Sequence, residues 1–429
     1  MSDPISPPGA PHARGAGALA RGEPLAALNA VAGRDDAHAL AIRAIALAQL
    51  GEHGDARRLL EQVERAFAEG DQPAFRARAR AALAELSAAE RDLGTALAEL
   101  EESARELADA GDGVNAAWLK LVRARLLVLL GDVPRARRLI DEVRALADEG
   151  DQGGGALVRA AAELALAEAC ARELRAADAL AALDRAEGWT RRAGLALLFR
   201  EIDAQRAGLG RELARIEHRG EVRAATARDV EALLGDGDTP RRVVLDALRR
   251  RLIAPGGAVL DLARRGVPFD LLFELARAWP EPADAGSLVR ALFAWDEPDE
   301  SHLARLKTEL ARLRALLARA DAPVAIEAEG GAWRLAPEGD AEVSLLTPLG
   351  EDRASLLEAL LWDGAAWSAR ALAAAADRPL RSVQRELGAL VDAGRVSALG
   401  GSRSMRYARL DPALGFAPQM FLVGISGWP

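Results

Sequence analysis

Residues Leu50–Gln72 (LGEHGDARRLLEQVERAFAEGDQ) return 80 positions later as Leu130–Gln152 (LGDVPRARRLIDEVRALADEGDQ), and both copies end in Glu-Gly-Asp-Gln. A segment halfway between, LGTALAELEESARELADAGD from Leu93, places Ala96, Leu100 and Gly111 at offsets of 40 or 41 from Ala56, Leu60 and Gly70. The repeat is therefore about 40 residues long, the range of stacked helical units. A degraded fourth copy, LRAADALAALDRAEGW from Leu174, keeps Ala176 and Leu180 in phase. In each copy Leu and Ala recur at helical spacing, and a glycine separates that helix from a second one opening with Asp or Pro. A single helical hairpin cannot bury its apolar face, whereas a stack of them can. The chain is half hydrophobic but only 4% aromatic. Its apolar mass is thus Ala, Leu and Val, which suits close-packed helices and excludes an all-β fold.

The remaining composition excludes several function classes. One cysteine, Cys170, permits neither a disulfide framework nor a cysteine-based zinc site within the chain, and it lies in an Ala/Leu helical pattern that explains it as a small buried residue. The two lysines, Lys120 and Lys307, follow no glycine-rich loop, so a P-loop is excluded. His12, His38, His53, His218 and His302 are scattered and are expected to be solvated or capping residues. Carboxylate pairs such as Glu101-Glu102 fall on polar helix faces. No catalytic residue, metal site or cofactor is expected, and the chain is not expected to be an enzyme. Residues 1–23, rich in Pro, Gly and Ala, are expected to form a disordered leader without the apolar core of a signal peptide. No run of 18 residues lacks charge, which argues against membrane association and for a cytoplasmic protein.

The 40-residue units over 24–208 resemble tetratricopeptide-type repeats, especially the longer kind found in bacterial regulators, which implies an α-solenoid that senses or assembles with a partner protein or with itself. The pattern weakens over 209–240, read as a linker of two short helical pieces. Three short apolar runs then follow, Val243–Leu245, Arg251–Ala254 and Ala258–Leu262, separated by turns including Pro255-Gly256-Gly257, and these predict a small antiparallel meander. Helices are expected at Pro268–Trp279, Ser287–Trp295 and Ser301–Ala320, then a hairpin in VAIEAEGGAWRL, where Gly330 and Gly331 supply the positive φ of a tight turn. Sheet, three helices and a β wing in this order over 241–338 resemble the winged helix of the OmpR/PhoB family, also used by the SARP antibiotic regulators. LARLRALL corresponds to that family's recognition-helix core and GGAWRL to its wing, with Trp333 in the aromatic position. Leu303, Leu306, Leu310, Leu313 and Leu317 face the core on this reading, leaving Arg305, Lys307, Arg312 and Arg314 outward for DNA. The sequence departs from the family in Asp296, Glu297, Asp299, Glu300 and Glu309, whose negative charge opposes DNA but suits a helix N-terminus.

A second constellation spans 346–412. Helices are expected at Asp352–Leu361 and at Ser368–Ala376 with Ser368 as N-cap, followed by a turn at Asp377-Arg378-Pro379. A third helix, Leu380–Ala393, closes at Gly394 and leads into two strands around Gly400-Gly401. SVQRELGALVDAGRV resembles the winged helix-turn-helix of DeoR-like and MarR-like bacterial regulators. That implies core positions at Val383, Leu387, Leu390 and Val391, a groove-facing set of Arg381, Ser382, Gln384 and Arg385, and wing cations at Arg403 and Arg406. The apolar tail 413–429 is expected to pair Met420–Ile425 as a strand or fill a groove, anchored by Phe416 or Trp428.

The net charge of −9 opposes nucleic acid on average, but residues 301–320 and 381–410 are each locally +4. The expected fold class is mainly α: an α-solenoid of tetratricopeptide-like hairpins followed by two winged-helix (α+β) domains. The expected function is bacterial transcription regulation on double-stranded DNA. The competing class is a non-enzymatic adaptor or scaffold whose repeats and winged helices bind proteins, favoured by the net negative charge and the acidic entrance to the first recognition helix.

Overall fold

The computed structural model describes residues 10–89, 93–149, 155–194, 196–235, 242–255, 257–293, 299–349, 356–361, 366–376, 378–399 and 405–409. The protein is mainly helical, at 66%. It divides into two compact units. One holds the chain through Gly208 with Gly364–Ala366 and the segment from Ser397 onward; the other holds Leu209–Asp363 and Trp367–Val396.

The first unit opens with α1 (Ala10–Ala20), α2 (Pro24–Ala30), α3 (Ala37–Gln49) and α4 (His53–Glu69), continues with α5 (Pro73–Ala89), α6 (Leu93–Asp109), α7 (Gly113–Leu129) and α8 (Val133–Glu149), and ends with α9 (Gly155–Arg172), α10 (Ala176–Ala193) and α11 (Ala196–Leu209). Helices α4, α6 and α8 start 40 residues apart, and so do α5 and α7. The even-numbered members are amphipathic and bury one stripe: Ala56, Leu60, Val63 and Phe67 in α4, then Ala136, Ile140, Val143 and Ala147 in α8. The odd-numbered members α7 and α9 are buried almost all round, as their Ala/Leu-rich sequences allow. Gly51 (φ 87°) and Gly131 (φ 84°) take the same left-handed place at the end of α3 and α7, which accounts for the repeated Leu-Gly.

Three expectations need correction in this unit. The leader is not structureless throughout: residues 10–20 form α1, whose His12 is buried with Nε2 3.0 Å from Asp36 Oδ1, while residues 1–9 lie outside the described residues. His12 and His38 are thus neither solvated nor capping. His38 is buried edge-on to Phe67 and Phe75, at ring-centroid distances of 5.1 and 4.8 Å, and burial lowers its pKa. The fourth repeat is also out of step with its predicted register. Ala176 is buried but Leu180 is only half-buried, and the stripe of α10 runs Ala179, Leu183, Ala186 and Thr190. Ala179 follows Ala136 by 43 residues because α9 begins 42 residues after α7 and is one residue longer. A fixed period of 40 therefore drifts from the centre of the buried stripe to its edge at Leu180.

All-round burial places charges inside this unit. Arg125 of α7, wholly buried, reaches Glu168 of α9 through Nε (2.7 Å) and Glu201 of α11 through Nη2 (2.7 Å), and Gln205 Nε2 donates to Glu168 Oε1 at 3.0 Å. Burial opposes the guanidinium charge, but the carboxylates of Glu168 and Glu201 outweigh it and hold the Arg125 pKa above its ordinary value. About two turns earlier, Trp118 Nε1 donates to Glu85 Oε1 at 3.2 Å, while Glu85 Oε2 has no hydrogen-bond partner among the described residues. Burial pushes this carboxyl well above the usual carboxylate range, against the lowering effect of the Trp118 bond.

The second unit begins where a linker was expected. Residues 209–240 instead hold β1 (Ala214–His218), β2 (Glu221–Ala225) and α12 (Ala227–Leu234), the last fixed by a Thr226–Asp229 capping box. The predicted meander exists as β3 (Arg242–Asp246), β4 (Arg251–Ile253) and β5 (Val259–Asp261), and Gly256 of its turn lies outside the described residues. Then come α13 (Gly266–Ala278), β6 (Ala283–Asp284), α14 (Ala285–Phe293), α15 (Glu300–Arg319), β7 (Val324–Glu329), β8 (Ala332–Pro337) and β9 (Glu342–Thr347). Strand β9 lies parallel to β3 and antiparallel to β1, giving a six-stranded sheet in the order β2-β1-β9-β3-β4-β5. The module thus begins before 241 and ends after 338. A smaller sheet, β6-β8-β7, carries the Gly330-Gly331 hairpin. Leucines 306, 310, 313, 316 and 317 of α15 pack into one core with Phe269 and Leu272 of α13, while Leu303 is only partly buried against it. Trp333 points inward to the same core.

The last elements are α16 (Leu356–Leu360), α17 (Ala369–Ala376), α18 (Leu380–Asp392), β10 (Ser397–Leu399) and β11 (Arg406–Ala408). Ser368 caps α17 as expected, its Oγ accepting from the Ala371 N–H at 3.1 Å, and Gly394 follows α18 at φ 69°. Val383, Leu387 and Leu390 are buried, but Val391 is only half-buried. Strands β10 and β11 pair antiparallel. Residues 352–355, Gly400, Gly401 and the tail 413–429, with Phe416, Met420–Ile425 and Trp428, lie outside the described residues. Among the described residues no helix is long and apolar enough to cross a membrane.

Two stability outcomes follow from the buried charges. Arg125→Met strands Glu168 and Glu201 and should lower stability in urea melts by about 3–5 kcal/mol, while Arg125→Met/Glu168→Leu/Glu201→Met should recover most of it. Glu85 holds its proton folded but loses it unfolded above about pH 4.5. Its contribution is therefore fully present below that pH and is lost as pH rises through its folded pKa. Glu85→Gln, which keeps an acceptor for Trp118, should flatten the fall of melting temperature with rising pH.

Candidate nucleic-acid interface

Ten side chains were singled out for DNA, and the structure separates them by what each already touches. On α15 the start is acidic: Asp299 caps the helix, accepting from the His302 N–H at 3.0 Å while the Asp299 N–H donates to His302 Nδ1, and Glu300 follows. His302 is thus a capping residue, as expected. Hydrogen bonds from Ser301 and His302 hold the Asp299 carboxyl below its ordinary pKa, so the charge persists in mild acid. Asp296 and Glu297 lie outside the described residues.

The α15 cations are largely engaged within the protein. Arg312 pairs with Glu309 at 2.7 Å, and Arg314 Nε donates to the Ile326 carbonyl of β7 at 3.0 Å. The Arg305 guanidinium sits 4.4 Å from the ring centroid of Phe293. Lys307 is exposed and makes no ion pair among the described residues. The hairpin beside α15 is acidic as well: Glu327 and Glu329 are exposed, and its one cation, Arg334, lies 2.9 and 3.7 Å from them.

Helix α18 is the opposite case. Its first turn holds no acidic residue and no side chain caps it, so a cation, Arg381, stands at the positive end of the helix dipole. Arg381, Gln384 and Arg385 are all exposed, and neither arginine makes an ion pair among the described residues. Arg381 and Arg385 are one turn apart on the same face. Gly388 continues that face. It is helical and exposed, with no atom within 4 Å of where a Cβ would stand, so neither backbone conformation nor packing calls for a glycine that costs a mid-helix position up to about 1 kcal/mol.

Ser382 is not available in the way expected. Arg378, from the turn before α18, donates through Nη2 to Ser382 Oγ at 3.1 Å and through Nη1 to Glu386 Oε2 at 2.6 Å. Arg406 is exposed, its Nη1 3.5 Å from the Ala366 carbonyl, and belongs with Ala366 to the first compact unit rather than with α18. Arg403 lies outside the described residues. The site set legible in the sequence thus narrows to Arg381, Gln384 and Arg385, joined by Gly388 and Arg378. Sequence reading missed Gly388 because a glycine within a strong amphipathic pattern carries no sign of what it faces. It passed over Arg378 because turn residues are read for backbone geometry.

Among the described residues no three His, Cys, Asp or Glu side chains are placed to hold a metal. No protein-family model matches the chain, and no curated protein matches it.

The contrast between the two helices is testable by charge removal. Arg312→Ala and Arg314→Ala should leave duplex-DNA binding of the full chain within about twofold, since each removes a cation already engaged, and the loss at Arg314 should appear in thermal melts instead. Fluorescence anisotropy on labelled duplex at two salt concentrations measures the first outcome.

Proposed function

We propose that the chain is a DNA-binding transcriptional regulator whose α18 enters the major groove of double-stranded DNA. The observation that carries this reading is the bare cationic start of α18: Arg381 and Arg385 with no internal partner among the described residues, followed on the same face by Gly388. Cations at a helix N-terminus are unfavourable to the isolated helix, and a mid-helix glycine without a packing role is too. Both become favourable when a polyanion approaches that face, because phosphates are neutralised and the bare backbone lets the duplex come close.

On this reading α16–α18 form a helix-turn-helix, β1–β9 with α13–α15 form an OmpR-like winged helix, and α3–α11 form a solenoid of tetratricopeptide-like hairpins. The helix order, the short turns and the Gly330-Gly331 hairpin support that assignment. The solenoid is the part that senses or assembles with a partner.

A second reading applies to the first winged helix. Its acidic helix start, engaged arginines and acidic hairpin favour a protein contact over DNA for this module. That assigns the adaptor role to one module while α18 carries DNA.

Two outcomes test the proposal on the full chain. Arg381→Ala and Arg385→Ala should each weaken duplex binding by about 1–3 kcal/mol and relax base preference, and a wild type that fails to shift the anisotropy of any duplex at low salt sinks the reading. Gly388→Ala should raise thermal stability by up to about 1 kcal/mol yet weaken DNA binding. A stabilised protein with unchanged affinity would place the duplex elsewhere.

A further inference from the structure

We infer that β2 is the docking edge for a second copy of this chain: two β2 strands pair antiparallel about a twofold axis at Val222, joining two six-stranded sheets into one. The inference goes beyond the DNA reading and does not depend on it.

Strand β2 is outermost on one side of the six-stranded sheet, and β5 on the other. The β1–β2 hairpin turns through Arg219 and Gly220, both at positive φ (50° and 78°), and pairs His218 with Glu221. In a two-residue hairpin that closing pair exchanges both backbone bonds, and bonded pairs recur at every second residue. Glu221, Arg223 and Ala225 therefore bond to β1, and the Leu213 N–H, 2.9 Å from the Ala225 carbonyl, agrees with that phase. Val222 and Ala224 turn their N–H and C=O groups the other way, to the open edge. Residues 221–224 are all exposed, Val222 at 58%, and no proline interrupts them.

The charges on this edge name its occupant. An antiparallel strand from a second copy must bond at 222 and 224, which leaves two twofold registers centred within the exposed stretch. One sets Val222 opposite Val222, with Glu221 opposite Arg223 on both sides of the axis. The other sets Val222 opposite Ala224, with Arg223 opposite Arg223. Opposite charges facing across strands stabilise and like charges destabilise, so the first register wins. Its Glu221–Arg223 pairs also fall at positions without backbone bonds to the copy, where facing side chains stand closest. Glu221 makes no ion pair among the described residues, and Arg223 meets Asp229 through Nη1 at 2.9 Å, which leaves other guanidinium donors for a second carboxylate. Charges on an edge strand commonly repel a copy. A glutamate and an arginine placed symmetrically about a valine match one instead.

The other edges fit a copy less well. Strand β5 is three residues long, and joining it to β2 of the next copy would build an open chain rather than a closed pair. In the smaller sheet, edge strand β7 carries Glu327 and Glu329, and Arg314 already takes its Ile326 carbonyl.

Sedimentation of the full chain over a concentration series tests the pairing. Wild type should pass from one chain's mass to two. Glu221→Arg and Arg223→Glu should each raise the dissociation constant by about tenfold, because each sets like charges opposite twice, whereas an equimolar mixture of the two variants should associate as wild type does. Val222→Cys, in a chain whose own cysteine, Cys170, is buried, should cross-link to itself under mild oxidation, and Ala224→Cys should not. Where Arg223→Glu, beside Asp229, melts below the assay temperature, the two cysteine variants decide. A wild type that keeps one chain's mass throughout, with no cross-link at 222, overturns the inference and leaves the edge to a strand of another protein. A dimer that ignores both charge reversals and cross-links no better at 222 than at 224 overturns it too, since the copies then meet elsewhere. Masses that grow beyond two chains would place β2 against β5 and end the twofold pairing.

Discussion

A helix that is apolar on every side can exist in water only when neighbours cover it on every side, and α7 imposes that condition on the first unit. From Asn115 to Leu129 nearly all of its side chains are buried. Its amphipathic neighbours α6 and α8 cover part of that surface, and helices of its own kind, α5 and α9, must cover the rest. Stacking in units of about 40 residues is the way this chain meets the requirement. The same condition explains the buried ions: a side chain at the contact between α7 and α9 has no route to solvent, so Arg125 is tolerable only because Glu168, Glu201 and Gln205 answer it. An interior of matched charges fixes which helix faces which more tightly than Ala-on-Ala packing, whose surfaces are nearly interchangeable.

Features governed by local chemistry were legible in the sequence. The Ser368 cap, the bounds of α17 and α18, Gly394 beyond α18 and the Gly330-Gly331 hairpin each depend on residues within a few positions of one another. The features that escaped depend on distant pairing. Strand β1 is short and only partly apolar, and nothing within 209–240 announces that Ile216 faces Leu346 in register. Likewise α10 shares the composition of its predecessors, and its three-residue change of register comes from added length upstream rather than from its own residues. The leader misled for a related reason: Gly and Pro density argues for disorder, yet Ala18 and Leu19 are buried and His12 meets Asp36 from 24 residues away.

The candidate site shows the same limit at the level of single charges. Sequence reading finds seven arginines, one lysine and two polar partners in two helices and their hairpins, but a cation's use depends on whether a carboxylate, a carbonyl or a ring already holds it. Glu309, Ile326 and Phe293 hold three of those on α15, whereas α18 leaves Arg381 and Arg385 without partners among the described residues. Local net charge is +4 in both stretches, and it hides this difference entirely.

The placement of β9 has a consequence for handling the protein in pieces. Because β9 lies between β1 and β3, the second unit is closed by two segments more than 100 residues apart in the chain. A fragment that starts at the apparent domain boundary after α12 would lack β1 and β2, and would present the backbone donors and acceptors of β9 as a bare edge. That strand reads Glu-Val-Ser-Leu-Leu-Thr and is nearly all buried in the intact chain, with no proline or inward charge to blunt it. Unpaired edges of this kind recruit a second copy strand to strand. Self-association of such a fragment would report the missing N-terminal hairpin, not the oligomeric state of the whole protein.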